Sequence, residues 1–328
     1  GLDMKLFQNR LSLNVDYFIE HRTNILISRG VIPTYLAVQL PTVNMGKVNN
    51  FGYEVSLRWQ NKIKGGHYYI GGNLSYAKNK VIFMDEIKYP YEWMQRTGKP
   101  VGQNFGYVFD GYFTEEEVAN YPTMKGKEGG IADQGSGYVP LPGDVKYKDL
   151  NGDHKIDEKD MRDIGYPAYP LLSYGITMGL SWRGIDFSVT FSGASKTSRL
   201  LSGPYRIPFG ETNNWSLMRY MMNDAWTPEK GNSAAAPAIS LRNKSHNYLD
   251  SDLWLRDASY VRLKNIELGY SFPKAITRSL HLNTLRFAVS GYNLLTFDHL
   301  KVCDPEANPN GRAYPLIKVI DFGLKVGF

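Results

Sequence analysis

The sequence predicts an all-β chain, a transmembrane antiparallel up-and-down β-barrel, on three observations. The first is the alternation at its end. Tyr314, Leu316, Ile320, Phe322, Leu324, Val326 and Phe328 share one face, and Asp321, Gly323, Lys325 and Gly327 the other. A period of two puts side chains on opposite faces of a strand, and apolar-out, polar-in alternation is the barrel pattern. The second is composition. Hydrophobic residues are only 42%, mean hydropathy is negative, and no stretch approaches the ~20 apolar residues of a membrane helix. Yet 23 Tyr and 15 Phe supply rings suited to a lipid–water boundary. The third is the alternation of short and long connections. The terminal strand alone fits the edge of a soluble sandwich equally well, so the connections decide.

Alternation marks roughly nine strands. Leu2, Met4 and Leu6 begin the series, followed by a tight turn at Gln8-Asn9-Arg10. Leu11 to Glu20, Phe51 to Gln60 and Tyr68 to Ala77 follow, with a turn at Lys62 to Gly66 between the last two. The clearest hairpin sets Tyr174, Ile176, Met178, Leu180 and Trp182 against Ile185, Phe187, Val189 and Phe191 around Arg183-Gly184. Its other face is Ser, Thr, Gly and one Asp, where a soluble sandwich would be expected to show Lys and Glu as well. Tyr260–Phe272, Leu285–Phe297 and the terminal strand complete the set. Val261 and Leu263 run out of phase with Ile266, Leu268 and Tyr270, which predicts a bulge near Arg262. Connections 8–10, 62–66, 183–184 and 273–282 are short, whereas 28–50, 84–170, 196–254 and 298–312 are long. Short periplasmic turns opposite long extracellular loops are the topology of an outer-membrane barrel.

Net charge is +6, from 38 basic and 32 acidic residues, without a basic stripe interleaved with stacking aromatics, so no nucleic-acid partner is expected. Cys303 is the single cysteine and forms no internal disulfide. The six histidines are scattered, and no nucleophile elbow or metal-hydrolase motif appears, so the chain is not expected to be an enzyme and no catalytic residue is assigned. The opening Gly1-Leu2-Asp3 is already strand-like, as in a piece of a longer protein.

Several segments together resemble the SusC/RagA family of TonB-dependent outer-membrane transporters of Bacteroidetes. They are Leu6 to Leu11 with Val15 to Phe18, Asn44 to Glu54, Gly98 to Gly102 running on to Asp110-Gly111-Tyr112-Phe113, and Pro142-Gly143-Asp144 to Asp160. Ile164 to Pro167, Tyr260 to Pro273 and the Phe328 end complete the likeness, which covers essentially the whole chain. The resemblance implies a barrel of about twenty-two strands plugged by an N-terminal domain, residues 1–328 being its C-terminal portion without the plug or TonB-contacting segment. It further implies a Gram-negative cell outer-membrane location, a SusD-like lid lipoprotein, coupling to TonB–ExbB–ExbD through the missing part, and a dimer of transporter–lid pairs.

Two constellations carry chemistry. Asp149, Asn151, Asp153, Asp157 and Asp160 place oxygens at positions one, three, five, nine and twelve of a loop, with the Lys155 carbonyl at seven. That is the spacing that gathers the six to eight oxygens of Ca²⁺. His154 stands where glycine is usual and Asp160 replaces the longer Glu; the alternative is an Asp-rich turn held by side chain–backbone bonds. The expected role of an ion is structural. Loop 196–254 carries Asn213, Asn214, Trp215, Arg219, Tyr220, Asn223, Asp224 and Trp226, with a helix expected from Trp215 to Trp226 and closed by Pro228. Trp93 lies in a second aromatic segment. These residues suit contact with a substrate or a lid, since rings beside amides and carboxylates match sugars, and they equally suit loop packing.

The function this predicts is TonB-dependent import of an oligomeric nutrient, a glycan, with peptide import of the RagA type as the alternative. A passive porin or adhesion barrel is disfavoured by lumen faces of Ser, Thr, Gly and Asn. An outer-membrane hydrolase lacks any nucleophile constellation.

Overall fold

A computed structural model describes residues 1–31, 40–210, 215–242 and 244–328. In chain order its strands are β1 (Leu2–Leu6), β2 (Leu11–Ile27), β3 (Val43–Ile63), β4 (Gly66–Phe83), β5 (Asn104–Gly106), β6 (Phe109–Tyr112), β7 (Val145–Tyr147) and β8 (Arg162–Ile164). They continue with β9 (Leu172–Trp182), β10 (Ile185–Ser195), β11 (Ser198–Leu200), β12 (Leu255–Asp257), β13 (Tyr260–Ser271), β14 (Thr284–Asp298) and β15 (Val319–Gly327). Among the described residues one antiparallel sheet of nine strands runs β1-β2-β3-β4-β9-β10-β13-β14-β15. The order is sequential throughout, an up-and-down meander with β1 and β15 at its edges. No described helix is long and apolar enough to cross a membrane.

Pairing keeps the apolar rows together. Ile176 faces Gly72 and Phe191, Met178 faces Ile70 and Val189, and Phe187 faces Leu268. Many of the outward apolar residues have no protein cover: Ile176 is 45% exposed, Leu268 53% and Phe322 74%. An uncovered apolar face this continuous requires hydrocarbon around it. Strands β9 and β10, 11 residues each, match the 9–11 residues of a tilted strand crossing a bilayer.

Strands β2, β3 and β4 are longer, at 17, 21 and 18 residues, and project beyond the band on the long-loop side. The segment 43–50, expected as loop, is therefore strand: Val48 pairs with Val81, and β3 bends with β2 through register shifts between Arg22 and Leu26. The bulge expected near Arg262 lies at Lys264, which has no counterpart between the pairs Leu263–Phe191 and Asn265–Thr190. This extra residue reverses the phase, so Val261 and Leu263 point outward along with Ile266 and Leu268. The connections expected to be short are 7–10, 64–65, 183–184 and 272–283, the last holding a helical turn at Lys274–Ser279. At the first, Phe7, Gln8 and Asn9 all take positive φ (54°, 59° and 65°), and Arg10 N–H closes the turn on the Phe7 carbonyl at 3.2 Å.

The lumen face mixes small neutral residues with ionic ones such as Glu54 and Arg58, and one ionic cluster joins three strands. Arg286 donates through Nε to Asp186 at 3.2 Å and through Nη2 to Glu267 at 2.6 Å, and Ser290 donates to the same Glu267 at 3.3 Å. Gly269 leaves the space for this cluster, because a Cβ there would meet the guanidinium. At the opposite end, loop 299–318 folds against β13. Arg262 is fully buried and its Nη2 donates to both Asp304 carboxylate oxygens at 2.8 Å.

Candidate functional site

The well-packed core of the molecule lies in its loops. The described residues of 84–171 and 196–259 fold around one another into a crown at the long-loop end of the sheet. Within it β5 pairs with β8, β6 with β7 and β11 with β12. Tyr107 joins the two loops: its N–H donates to the Asp250 carbonyl at 2.9 Å, and its own carbonyl accepts from Asp252 N–H at 3.1 Å. Tyr112, Val145, Tyr147, Met221, Tyr248 and Trp254 form the centre. Three of the rings are seated by their polar tips, as burial requires. Tyr112 Oη donates to the Ala234 carbonyl (3.1 Å), Tyr147 Oη to the His246 carbonyl (2.8 Å), and Trp254 Nε1 to the Asn247 carbonyl (3.1 Å).

A polar network crosses the same core. Asn247 Oδ1 accepts from Val145 N–H at 3.0 Å, and its Nδ2 donates to Asp144 Oδ1 at 2.7 Å. His246 Nε2 donates to the Val145 carbonyl at 2.9 Å, which assigns the proton to that nitrogen. Burial pushes the imidazole below its usual value and keeps it neutral, and Tyr138 stacks on it at 4.0 Å. The helix Glu115–Met124 flanks this core and starts on a capping box between Thr114 and Glu117. Its Tyr121 is buried and accepts from Gln134 N–H at 2.9 Å.

The Asp149–Asp160 loop is a nested set of side chain–backbone bonds. Asp149 accepts from Gly152 N–H (2.7 Å) and His154 N–H (2.8 Å), and Asn151 from Asp153 N–H (2.9 Å). Asp153 accepts from Lys155 N–H (3.0 Å), and the buried Asp160 from Leu150 N–H (2.8 Å) and Asp157 N–H (2.9 Å). His154, where glycine is usual, takes φ 61°. The Lys159 ammonium lies 3.4 Å from Asp153 and 3.2 Å from Asp157. Among the described residues no three acidic, His or Cys side chains gather closely enough to hold a metal ion. Burial raises the Asp160 carboxyl above its ordinary value, although the two N–H donors oppose this. Trp93 docks on the same loop, its Nε1 donating to the Lys159 carbonyl at 2.8 Å while its ring stacks on Tyr91.

The second constellation is split between packing and surface. The expected helix from Trp215 to Trp226 is shorter, Arg219–Asp224, with extended backbone at Met218 and Ala225. Ala225 leaves the helix because it bridges to Ala236, and Met221 plugs the core. Trp215 packs on Gly210, and Tyr220 donates its hydroxyl to the Tyr205 carbonyl. Trp226 lies across Gly143, where φ is 83° and a Cβ would clash with the indole at 2.5 Å. Arg219, Asn223 and Asp224 are exposed, with Asp224 3.6 Å from Lys230 Nζ. Asn213 and Asn214 lie outside the described residues. Beside Trp226 opens a cleft of about 390 Å³ lined by Tyr112, Glu115, Glu116, Pro228 and Asn232. Glu115, Glu116 and Asn232 are additions that periodicity did not mark; their signal was the capping sequence Thr114 to Glu117 and the turn after Pro228.

No family model matches the chain. It is 29% identical over 358 aligned positions to TonB-dependent receptor P3 of Formosa agariphila, covering all of this chain and 33% of that protein. It is 24% identical to TonB-dependent receptor SusC of Bacteroides thetaiotaomicron, again over the whole chain and 31% of the relative. Its fold matches the RagAB peptide importer in the open-open state with a TM-score of 0.69 at 21% identity, over 99% of this chain and 33% of that one. The chain's homologues are TonB-dependent receptors, SusC among them. Like these relatives it is part of an outer-membrane β-barrel, and it spans about a third of the length of the curated relatives it matches. The nine-strand sheet thus corresponds to a portion of such a barrel wall, with the crown at its long-loop end.

Proposed function

We propose that this chain supplies barrel strands and extracellular loops to a transporter importing an oligomeric nutrient, a glycan, across the outer membrane. Energy comes from TonB–ExbB–ExbD, and a SusD-like lipoprotein closes over the crown, the pairs associating as a dimer. The observation that carries this reading is the cleft beside Trp226. A flat indole next to Glu115, Glu116 and Asn232 offers a sugar a stacking face and hydroxyl acceptors together. In the full-length transporter, Trp226→Ala should cut uptake of a labelled oligosaccharide at least tenfold, about 1.4 kcal/mol, with surface expression unchanged. Trp226→Phe, which keeps a ring on Gly143, should retain most of it. Equal uptake by Trp226→Ala and the parent would refute a glycan site here.

A second reading, peptide import, draws support from loop charge. Residues 84–171 hold sixteen Asp and Glu against ten Lys and Arg, a surface suited to basic peptides. Labelled basic peptides run in the same uptake assay separate the two.

We also propose that the Asp149–Asp160 loop takes up calcium when the ion is supplied in millimolar amounts. Each carboxylate oxygen already bonded to an N–H keeps a second acceptor site, and Lys159 would yield Asp153 and Asp157 to the ion. Calorimetry should show binding at about 10⁻⁴–10⁻³ M that Asp153→Ala removes, the barrel remaining folded. No heat and no anomalous signal in calcium would leave an Asp-rich turn with Lys159 as its resident cation.

A further inference from the structure

The 11-residue strand β9 sets the height of the apolar band, and its outermost rung, Leu172, pairs with Tyr76 of β4. Tyr76 stacks on Tyr53 of β3 with ring centroids 5.3 Å apart, an aromatic pair at the level where such rings mark a lipid–water boundary. Strand β4 continues to Phe83. Lys78 and Lys80 share the outward side of the pleat with Tyr76, so they emerge ~7 and ~13 Å above it along the strand. That is head-group height, on the face turned to lipid.

The crown folds back onto this spot. Gly98 N–H donates to the Val81 carbonyl at 2.8 Å, Val81 N–H to the Lys99 carbonyl at 2.9 Å, and Val101 N–H to Asn79 Oδ1 at 2.6 Å. The segment 98–101 thereby continues the sheet beside upper β4. Lys80 lies along Gly98, its Cε 3.9 Å from where a Cβ would stand. From the other side Lys196 places its Nζ 5.4 Å from the centre of the Tyr76 ring. Between them lies a cleft of about 410 Å³ lined by Phe51, Lys78, Lys80, Lys99, Tyr166 and Leu171. One carboxylate reaches it, Asp163, 2.9 Å from Lys99. Among the described residues neither Lys78 nor Lys80 is in an ion pair, and both are exposed.

We propose that this outward cleft binds the phosphate group of an anionic lipid of the outer leaflet. The ammonium groups of Lys78, Lys80 and Lys196 converge on the phosphate while the acyl chains run down over Tyr53 and Tyr76. Clustered lysines at an interface recognise anionic head groups in this way, and the apolar floor fixes the lipid rather than a free anion. The site is distinct from the cleft beside Trp226, with which it shares no lining residue.

The test uses the full-length transporter in mild detergent, with native mass spectrometry counting retained lipid. Three probes are compared: lipopolysaccharide, the same lipid with its phosphates removed, and inorganic phosphate as competitor. Retention of lipopolysaccharide should exceed that of the dephosphorylated form at least tenfold, fall as salt is raised, and survive millimolar inorganic phosphate. Lys78→Gln with Lys80→Gln should lose it by a similar factor, and Lys78→Arg with Lys80→Arg should keep it, heat-modifiable gel migration reporting an intact barrel in each. Equal retention of the two lipid forms by the parent protein overturns the proposal without recourse to any variant. Unchanged retention by the folded glutamine variant does the same, and displacement by inorganic phosphate would make this a free-anion site.

Discussion

Asp304→Ala should destabilise the barrel by about 3–5 kcal/mol, the cost of leaving a buried charge without its partner. Arg262 is fully buried on the lumen side of β13, where Ser192 of β10 is its neighbour across the ladder. Loop 299–318 caps it. Both hydrogen bonds from its Nη2 end on Asp304, while Nη1 lies 2.9 Å from Glu306 but out of line for a hydrogen bond. Glu306 is further shared with Lys264 at 3.5 Å, so it is a weak substitute. Urea unfolding of the full-length protein in lipid vesicles measures the loss, and hydrogen exchange should show loop 299–318 released first. Adding Arg262→Met to Asp304→Ala should restore most of the stability, because the penalty belongs to the unpaired charge and not to the lost bond. A loss under 0.5 kcal/mol from Asp304→Ala alone would mean that water or Glu306 replaces the carboxylate at no cost.

Ile176→Arg should cost about 2–4 kcal/mol, whereas Thr177→Arg, one residue away, should cost little. Ile176 lies near mid-height of β9, outward between Gly72 and Phe191, and Thr177 points inward between Gly71 and Thr190. The two substitutions introduce the same charge at the same depth and differ only in the solvent they meet. Leu180→Arg, four residues nearer the Arg183-Gly184 turn than Ile176, should fall between them, because the penalty declines toward the interface. Stability in vesicles again gives the comparison, and equal costs at Ile176 and Thr177 would show that the outward face does not meet hydrocarbon.

Strand positions, their faces and the ends at which long loops gather were legible because alternation is a local property: a strand's side chains point by parity alone. For the same reason the phase error at Val261 and Leu263 announced a bulge, although only pairing with β10 located it at Lys264. The upper part of β3 was hidden. Its strand character comes from partners in β2 and β4, and its own sequence, rich in Asn and Gly, reads as loop. The helix from Trp215 was overextended because periodicity does not register that Trp226 N–H bonds the distant Ala236 carbonyl and the Asp224 carbonyl accepts from Ala235 N–H.

What the sequence determined by itself was the membrane-facing sheet, its hairpin order, and the aromatic and Asp-rich segments of its loops. Tertiary structure alone decided what those loop residues do. Trp226 depends on Gly143, Tyr112 on Ala234 and Arg262 on Asp304. These partners lie tens of residues apart in the chain and share no period. In the bilayer each strand is solvated face by face and so carries its instructions locally. The crown stands in water, where an irregular loop holds its shape by burying side chains against distant ones.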